Sequence, residues 1–234
     1  RPNGDSGPLV CSFEMLENYL ITQGREWERY AWIKAHPLTG SRHDELDQVR
    51  HPFVFRKYFD FGAINAMREL HAQIRREVAK KDMADNVKLG PGGIREIEFI
   101  AQVFQLIRGG RDTPLQIKPT QQVLKLLAER GILSEDAAAE LVSAYIFLRR
   151  LEHRLQYLDD AQTHSLPADG EDRRRVARAM GFASFEALLE ELDDHRATVS
   201  RHFEQVFADP NHGEHILAGL WQDAGDEAQD ARFE

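Results

Sequence analysis

The chain has 234 residues, 42% hydrophobic and 29% charged, with a formal net charge of −9. That length supports a sizeable core, and the acid excess argues against nucleic acid as its partner, since a phosphate backbone is gripped by clustered cations. No window approaches the ~20 apolar residues of a membrane helix, and the one cysteine, Cys11, can form no internal disulfide, which fits the reducing cytoplasm.

Residues 1–8 are turn-rich and read as the interior of a longer protein. Leu9-Val10-Cys11 is predicted to be a short edge strand with Cys11 as a buried small hydrophobe. Ser12 is placed to N-cap a helix over about residues 13–23, which Gly24 breaks. A second helix, 25–36, is closed by Pro37. It carries Trp27, Tyr30, Ala31 and Lys34 on one side and Arg25, Glu28, Arg29 and Trp32 on another. A third helix over about 43–51 is bounded by Pro52, and Phe53-Val54-Phe55 fits strand or helix. Over 61–81 the spacing of Ile64, Met67, Leu70, Ile74 and Val78 predicts a long amphipathic helix decorated by Arg68, Arg75, Arg76, Lys80 and Lys81.

The most distinctive stretch is Lys88-Leu89-Gly90-Pro91-Gly92-Gly93-Ile94-Arg95-Glu96-Ile97-Glu98-Phe99-Ile100-Ala101-Gln102. A Gly/Pro turn opens straight into an apolar helix. Arg95, Glu98 and Gln102 form one polar line along it, and Arg149, Glu152 and Gln156 repeat those residue types at the same spacing on a second apolar helix. Between them, residues 120–131 read as a helix ended by Gly131. Ser134 caps the second long helix, which the pattern carries as far as Gln162. Helices at about 171–180, opening on Arg173, Arg174 and Arg175, and at 184–207 follow, then an acidic tail over 209–234.

Several groups could carry chemistry. The turn at Gly90–Gly93 has either free amides that cradle a phosphate or a purely structural role; it lacks P-loop and dinucleotide spacing, which favours structure. Arg95, Glu98, Arg149 and Glu152 are read as a buried charge network that pins helix register, with Arg95 facing Glu152 and Arg149 facing Glu98 if the rods pack antiparallel. Arg29 and Lys34 flank aromatic residues and are candidate phosphate contacts, expected to matter more for chemistry than for folding. No residue is assigned as catalytic, and no Cys/His cluster has metal spacing.

At these residues the chain resembles the bifunctional glutamine synthetase adenylyltransferase/adenylyl-removing enzyme family. The resemblance is carried by Arg1 through Val10, Gly24-Arg25-Glu26-Trp27-Glu28-Arg29-Tyr30-Ala31, Lys88 through Gln102, Phe104-Gln105-Leu106-Ile107-Arg108-Gly109-Gly110 and Phe147-Leu148-Arg149-Arg150-Leu151-Glu152. It implies two nucleotidyltransferase halves, each followed by a helical domain. One half adds AMP to a tyrosine of glutamine synthetase; the other removes it by phosphorolysis to ADP. Gly4-Asp5-Ser6-Gly7-Pro8 is more similar to the removing half. The family's metal-binding carboxylates precede the position of Arg1, so this stretch by itself is expected to be inactive, and His36 stands where the family has an arginine. Magnesium, ATP or ADP, phosphate, glutamine synthetase and the PII signalling protein are the implied cofactor and partners, and the resemblance adds Lys88 to Arg29 and Lys34 as a nucleotide or phosphate ligand.

The expected fold is therefore mainly α: a helical bundle over 86–208, following a remnant of a nucleotidyltransferase α/β domain over 1–85, with a polar tail over 209–234. Two classes of function remain open, a part of an enzyme and a regulatory or docking helical module.

Overall fold

A computed structural model of the chain describes residues 9–56, 85–158, 160 and 162–207. Among them are eight α-helices: α1 (Phe13–Thr22), α2 (Glu26–Ile33), α3 (His43–Val54), α4 (Ile94–Arg108), α5 (Thr120–Glu129), α6 (Glu135–Tyr157), α7 (Gly170–Met180) and α8 (Phe185–Phe207), with a 3-10 turn at Thr113–Gln116. The fold is mainly α, as the periodicity predicts. The helix expected over 61–81, its basic residues, and the tail from 209 lie outside the described residues.

Leu9-Val10-Cys11 is not a strand. Leu9 and Val10 are exposed and Cys11 is only half-buried. A strand needs a hydrogen-bonded neighbour, and the described residues contain no strand to pair with it. Pro52 does not end its helix either. α3 runs through it to Val54, and Phe53 and Val54 are buried on its last turn. α6 stops at Tyr157 rather than near Gln162.

Backbone contacts divide the chain into two units, Arg1–Ile74 with Ala101–Leu126 and Arg75–Ile100 with Leu127–Glu234. In the first, α1 and α2 both pack on α3. Ser12 caps α1 by accepting from the Met15 amide at 3.1 Å, as its sequence position suggests. Leu20, Ile33, Phe53, Val54 and Phe55 are buried. Of the two sides of α2, the structure buries that of Glu28 and Arg29 and leaves Trp27 exposed. Glu28 accepts from the Tyr19 hydroxyl at 2.8 Å and from the Arg25 amide at 2.9 Å, so its carboxylate ties α1 to the start of α2. The end of α4 joins this unit through Gln105, whose fully buried amide donates to the carbonyls of Leu115 and Ile117 at 2.6 Å each.

In the second unit α6 packs on α7 and α8, and α7 on α8. Ser134 accepts from the Ala137 amide and caps α6, while Asp169 accepts from the amides of Glu171 and Asp172 and caps α7. The seam is Leu141, Leu148, Leu151 and Leu155 of α6 against Leu188, Leu192, Val199 and Phe203 of α8, all at helical spacing and buried. Phe99, from the start of α4, stacks on Phe203 and Phe207 at 6.0 and 5.3 Å.

A polar clasp closes the α6–α8 seam. Glu140 Oε2 lies 2.6 Å from His202 Nε2 and 2.8 Å from Arg201 Nη2. The hydrogen bond with His202, then that from Arg201, holds the Glu140 carboxyl below its ordinary value. A depressed carboxylate stabilises the fold above the ordinary carboxylate range of ~4–4.5 and loses that contribution as pH falls through its lowered value. Denaturant titrations of Glu140→Gln are therefore expected to show a stability penalty near neutral pH that shrinks as the solution is acidified. A penalty that stays constant with pH would remove the carboxylate from this role.

Candidate functional site

The glycine turn is fully engaged with its own unit. Asn86 Oδ1 accepts from the amides of Lys88 and Leu89 at 3.0 and 2.8 Å. The Gly90 amide donates to Asn86 O, that of Gly93 to Gly90 O, that of Ile94 to Val87 O, that of Arg95 to Lys88 O and that of Glu96 to Gly93 O. The buried Glu96 carboxylate reaches back to accept from the Gly92 amide at 3.0 Å. The Val87 amide donates to His164 O at 2.8 Å and that of Leu166 to Asp85 O at 3.1 Å, so Asn86 and Ser165 form an antiparallel bridge. With Pro91 lacking an N–H, every amide from Val87 to Glu96 has a protein acceptor. The turn offers no backbone cradle for a phosphate, and the structural reading of the glycines holds.

What the turn does is place side chains. Lys88 and His164, brought together by the bridge, converge on Glu152 of α6. Glu152 is 1% exposed. Its Oε2 lies 2.6 Å from Arg149 Nη1, one turn earlier on the same helix. Its Oε1 lies 3.1 Å from His164 Nδ1 and 3.4 Å from Lys88 Nζ. Neither Oε1 nor His164 Nδ1 has a hydrogen bond of good geometry, so Lys88 acts on that side of the cluster through charge rather than directed bonding. The side chains of Lys88 and Arg149 are each 36% exposed. A buried carboxylate thus fixes two part-exposed cations at the surface.

The predicted cross-helix exchange is replaced by this arrangement. Arg149 pairs along its own helix with Glu152, and Glu98 accepts from the Tyr145 hydroxyl at 3.2 Å. Arg95 is exposed and makes no ion pair with Glu152. An arginine three residues before a glutamate meets it on one helix face at little conformational cost, and that local pairing wins here.

Arg29 and Lys34 are engaged elsewhere. Arg29 is 2% exposed; its Nε and Nη2 donate to the carbonyls of Phe53 and Val54 at 3.1 Å each, and its Nη1 pairs with Glu26 at 2.6 Å. It therefore supplies donors to the otherwise open C-terminal carbonyls of α3. Lys34 donates to Lys118 O and, at 3.0 Å, to Thr120 Oγ1, where α5 begins. Of the three cations read as phosphate ligands, only Lys88 stands in the Glu152 cluster. His164 was not singled out by the sequence, because nothing local marks it; its role comes from pairing with a segment about eighty residues away.

Comparison with known proteins agrees with the resemblance. Residues 68–207 match the family model described as GlnD PII-uridylyltransferase, and residues 1–50 match that described as glutamate-ammonia ligase adenylyltransferase. The bifunctional glutamine synthetase adenylyltransferase/adenylyl-removing enzyme of Aromatoleum aromaticum is 66% identical over 98% of this chain, and the chain covers 24% of it. The enzymes of the same name from Chromobacterium violaceum and Neisseria meningitidis are 59% and 54% identical over 100% and 97% of this chain, and the chain covers 26% of each. It spans about a quarter of the length of these curated relatives. With more than half of its residues matched by the first model and high identity along nearly all of its length, the chain belongs to the GlnD PII-uridylyltransferase domain family, as it occurs in bifunctional glutamine synthetase adenylyltransferase/adenylyl-removing enzymes.

Proposed function

We propose that this chain is part of an enzyme that reversibly adenylylates glutamine synthetase, in the half that removes AMP by phosphorolysis to ADP. The observation that carries membership of that enzyme is the order of the two family matches, an adenylyltransferase match over 1–50 followed by the GlnD match over 68–207, in a chain 66% identical to an enzyme named for both activities; the choice of the removing half rests on the wording Gly4-Asp5-Ser6-Gly7-Pro8. Its role there is structural and positional: a helical module that presents charged side chains beside the reaction and carries no phosphoryl-transfer step itself. The magnesium expected of the whole enzyme does not fit the carboxylates described. Glu152 is held by Arg149 and Lys88, Glu98 by Tyr145, and Glu96 by the Gly92 amide. Among the described residues no three His, Cys, Asp or Glu side chains converge as metal ligands.

A docking role toward glutamine synthetase or PII protein is the second reading, favoured by exposed apolar side chains on the first unit, among them Ile21, Trp27 and Leu38. Incubating the purified chain with adenylylated glutamine synthetase, phosphate and magnesium is expected to yield no ADP; ADP formation would refute the non-catalytic assignment. Calorimetric titration with ADP and magnesium, then with PII protein and glutamine synthetase, separates the two readings. Nucleotide binding alone favours the enzymatic part, and protein binding alone favours the docking module.

A further inference from the structure

The 23 residues of α6 turn one line of side chains to solvent. Glu135, Ala139, Ile146, Arg150, His153 and Tyr157 fall within an arc of roughly 60° at about 3.6 residues per turn, and all six are exposed. Other faces of the helix are taken up by α7, α8 and the Glu152 cluster. Ile146 and Tyr157 are 42% and 73% exposed, and among the described residues of this unit they are the large apolar side chains left in solvent. Both lie on this line. Acids at the start of a helix and cations at its end suit the helix dipole, but the dipole asks for no apolar side chain in water.

We infer that this face of α6 pairs antiparallel with the same face of a second copy of the chain, making a weak two-fold dimer. The inference is independent of the reaction and the partners proposed above. Charge runs along the face from Glu135 and Asp136 to Arg150, His153 and Arg154. A parallel pair sets like charges together, and an antiparallel pair sets opposites together. With the two-fold axis between Ala144 and Tyr145, Glu135 of each copy faces the partner's His153, and Asp136 faces the partner's Arg154. Size alternates in the same register. Ala139 lies opposite the partner's Arg150 and Ser143 opposite the partner's Ile146, so each long side chain meets a small one and the helices can approach closely. Tyr157 reaches past the start of the partner's helix, where half-buried Ile132 precedes it. The Arg154 guanidinium lies 5.9 Å from the Tyr157 ring, which holds both side chains at this end of the face. Arg150 and His153 make no hydrogen bond or ion pair among the described residues, so pairing gives up no contact of theirs. One helix pair of roughly 33 Å, at ~1.5 Å per residue, falls short of the ~1,200–2,000 Å² of a stable interface, so association depends on concentration.

Sedimentation equilibrium of the chain from about 10 µM to about 1 mM tests this, with no nucleotide, phosphate or partner protein present. The average mass is expected to rise from monomer toward dimer with concentration, and less steeply in high salt. Ile146→Glu should weaken pairing by roughly tenfold or more, while Ile21→Glu, an exposed position on α1, should leave it unchanged. His153→Glu and Glu135→Lys should each weaken pairing alone, since each sets like charges together at both symmetry-related contacts. Mixed in equal amounts, these two variant chains should pair again, because one contact then joins opposite charges and the other is that of the parent. The assignment is overturned by a chain that stays monomeric at about 1 mM, by an Ile146→Glu chain that pairs as the parent does, by loss of pairing in Ile21→Glu, or by a mixture that pairs no better than either variant alone.

Discussion

Replacing Gly92 by alanine should destabilise the second unit by about 2–5 kcal/mol, combining the left-handed backbone cost with overpacking. Gly92 has φ +67, in the region where a Cβ crowds the following carbonyl. A Cβ there would lie 2.3 Å from Arg196 O and 2.5 Å from Arg196 Cα. These are backbone atoms of α8 and cannot swing aside as a side chain does. Movement of the turn would also strain the Gly92 amide bond to Glu96 and the helix start behind it. Gly131→Ala is the matched control. Its φ is +66, yet a Cβ would meet nothing within 4 Å, so only the conformational cost of about 1–2 kcal/mol applies. Urea titration of both variants checks this, and equal penalties would show that the approach of α8 plays no part.

Arg29→Met should lower stability by about 3 kcal/mol, the low end of the cost of breaking a buried ion pair. For a chain of this size that is roughly 6–12 °C in melting temperature. Three acceptors lose their donor together: the carbonyls of Phe53 and Val54 and the Glu26 carboxylate. Glu26 retains Arg56 at 3.4 Å and is itself 24% exposed, which keeps the penalty from rising further. This reverses the expectation that Arg29 serves chemistry before folding. A thermal melt of the variant that matches the parent would restore it.

The helices were legible in the sequence because their signals are local. Apolar spacing marks α4, α6 and α8, Ser12 and Ser134 announce helix starts, and Gly131 announces an end. The same rules misplace α3, since Pro52 normally bounds a helix and here sits inside one. The buried face of α2 is not legible in the sequence, for a physical reason. Trp27 and Tyr30 outweigh Glu28 and Arg29 on any hydrophobicity scale, but buried polar groups are tolerated once paired, and the pairs lie on α1 and α3. Sequence distance hides such partners.

The candidate site divides in the same way. Glu152 and Arg149 were marked by residue type and spacing and Lys88 by the family resemblance, and Arg149 meets Glu152 on one helix, as local geometry allows. Neither Lys88 nor His164 can be joined to Glu152 from spacing, because both arrive through the bridge between Asn86 and Ser165. The division of α4, with its first residues in one unit and its last in the other, has no sequence signature either.

That bridge has a kinetic consequence. A glycine-rich turn would ordinarily close early in folding, since loops of a few residues form in well under a microsecond. Here the Val87 amide finds its acceptor only on His164, and the Gly92 backbone is shaped against Arg196. The turn therefore cannot reach its final form until α6 has folded back and α8 has docked. Its ordering belongs to the late, high-separation contacts that set the pace of a fold rather than to the early local ones.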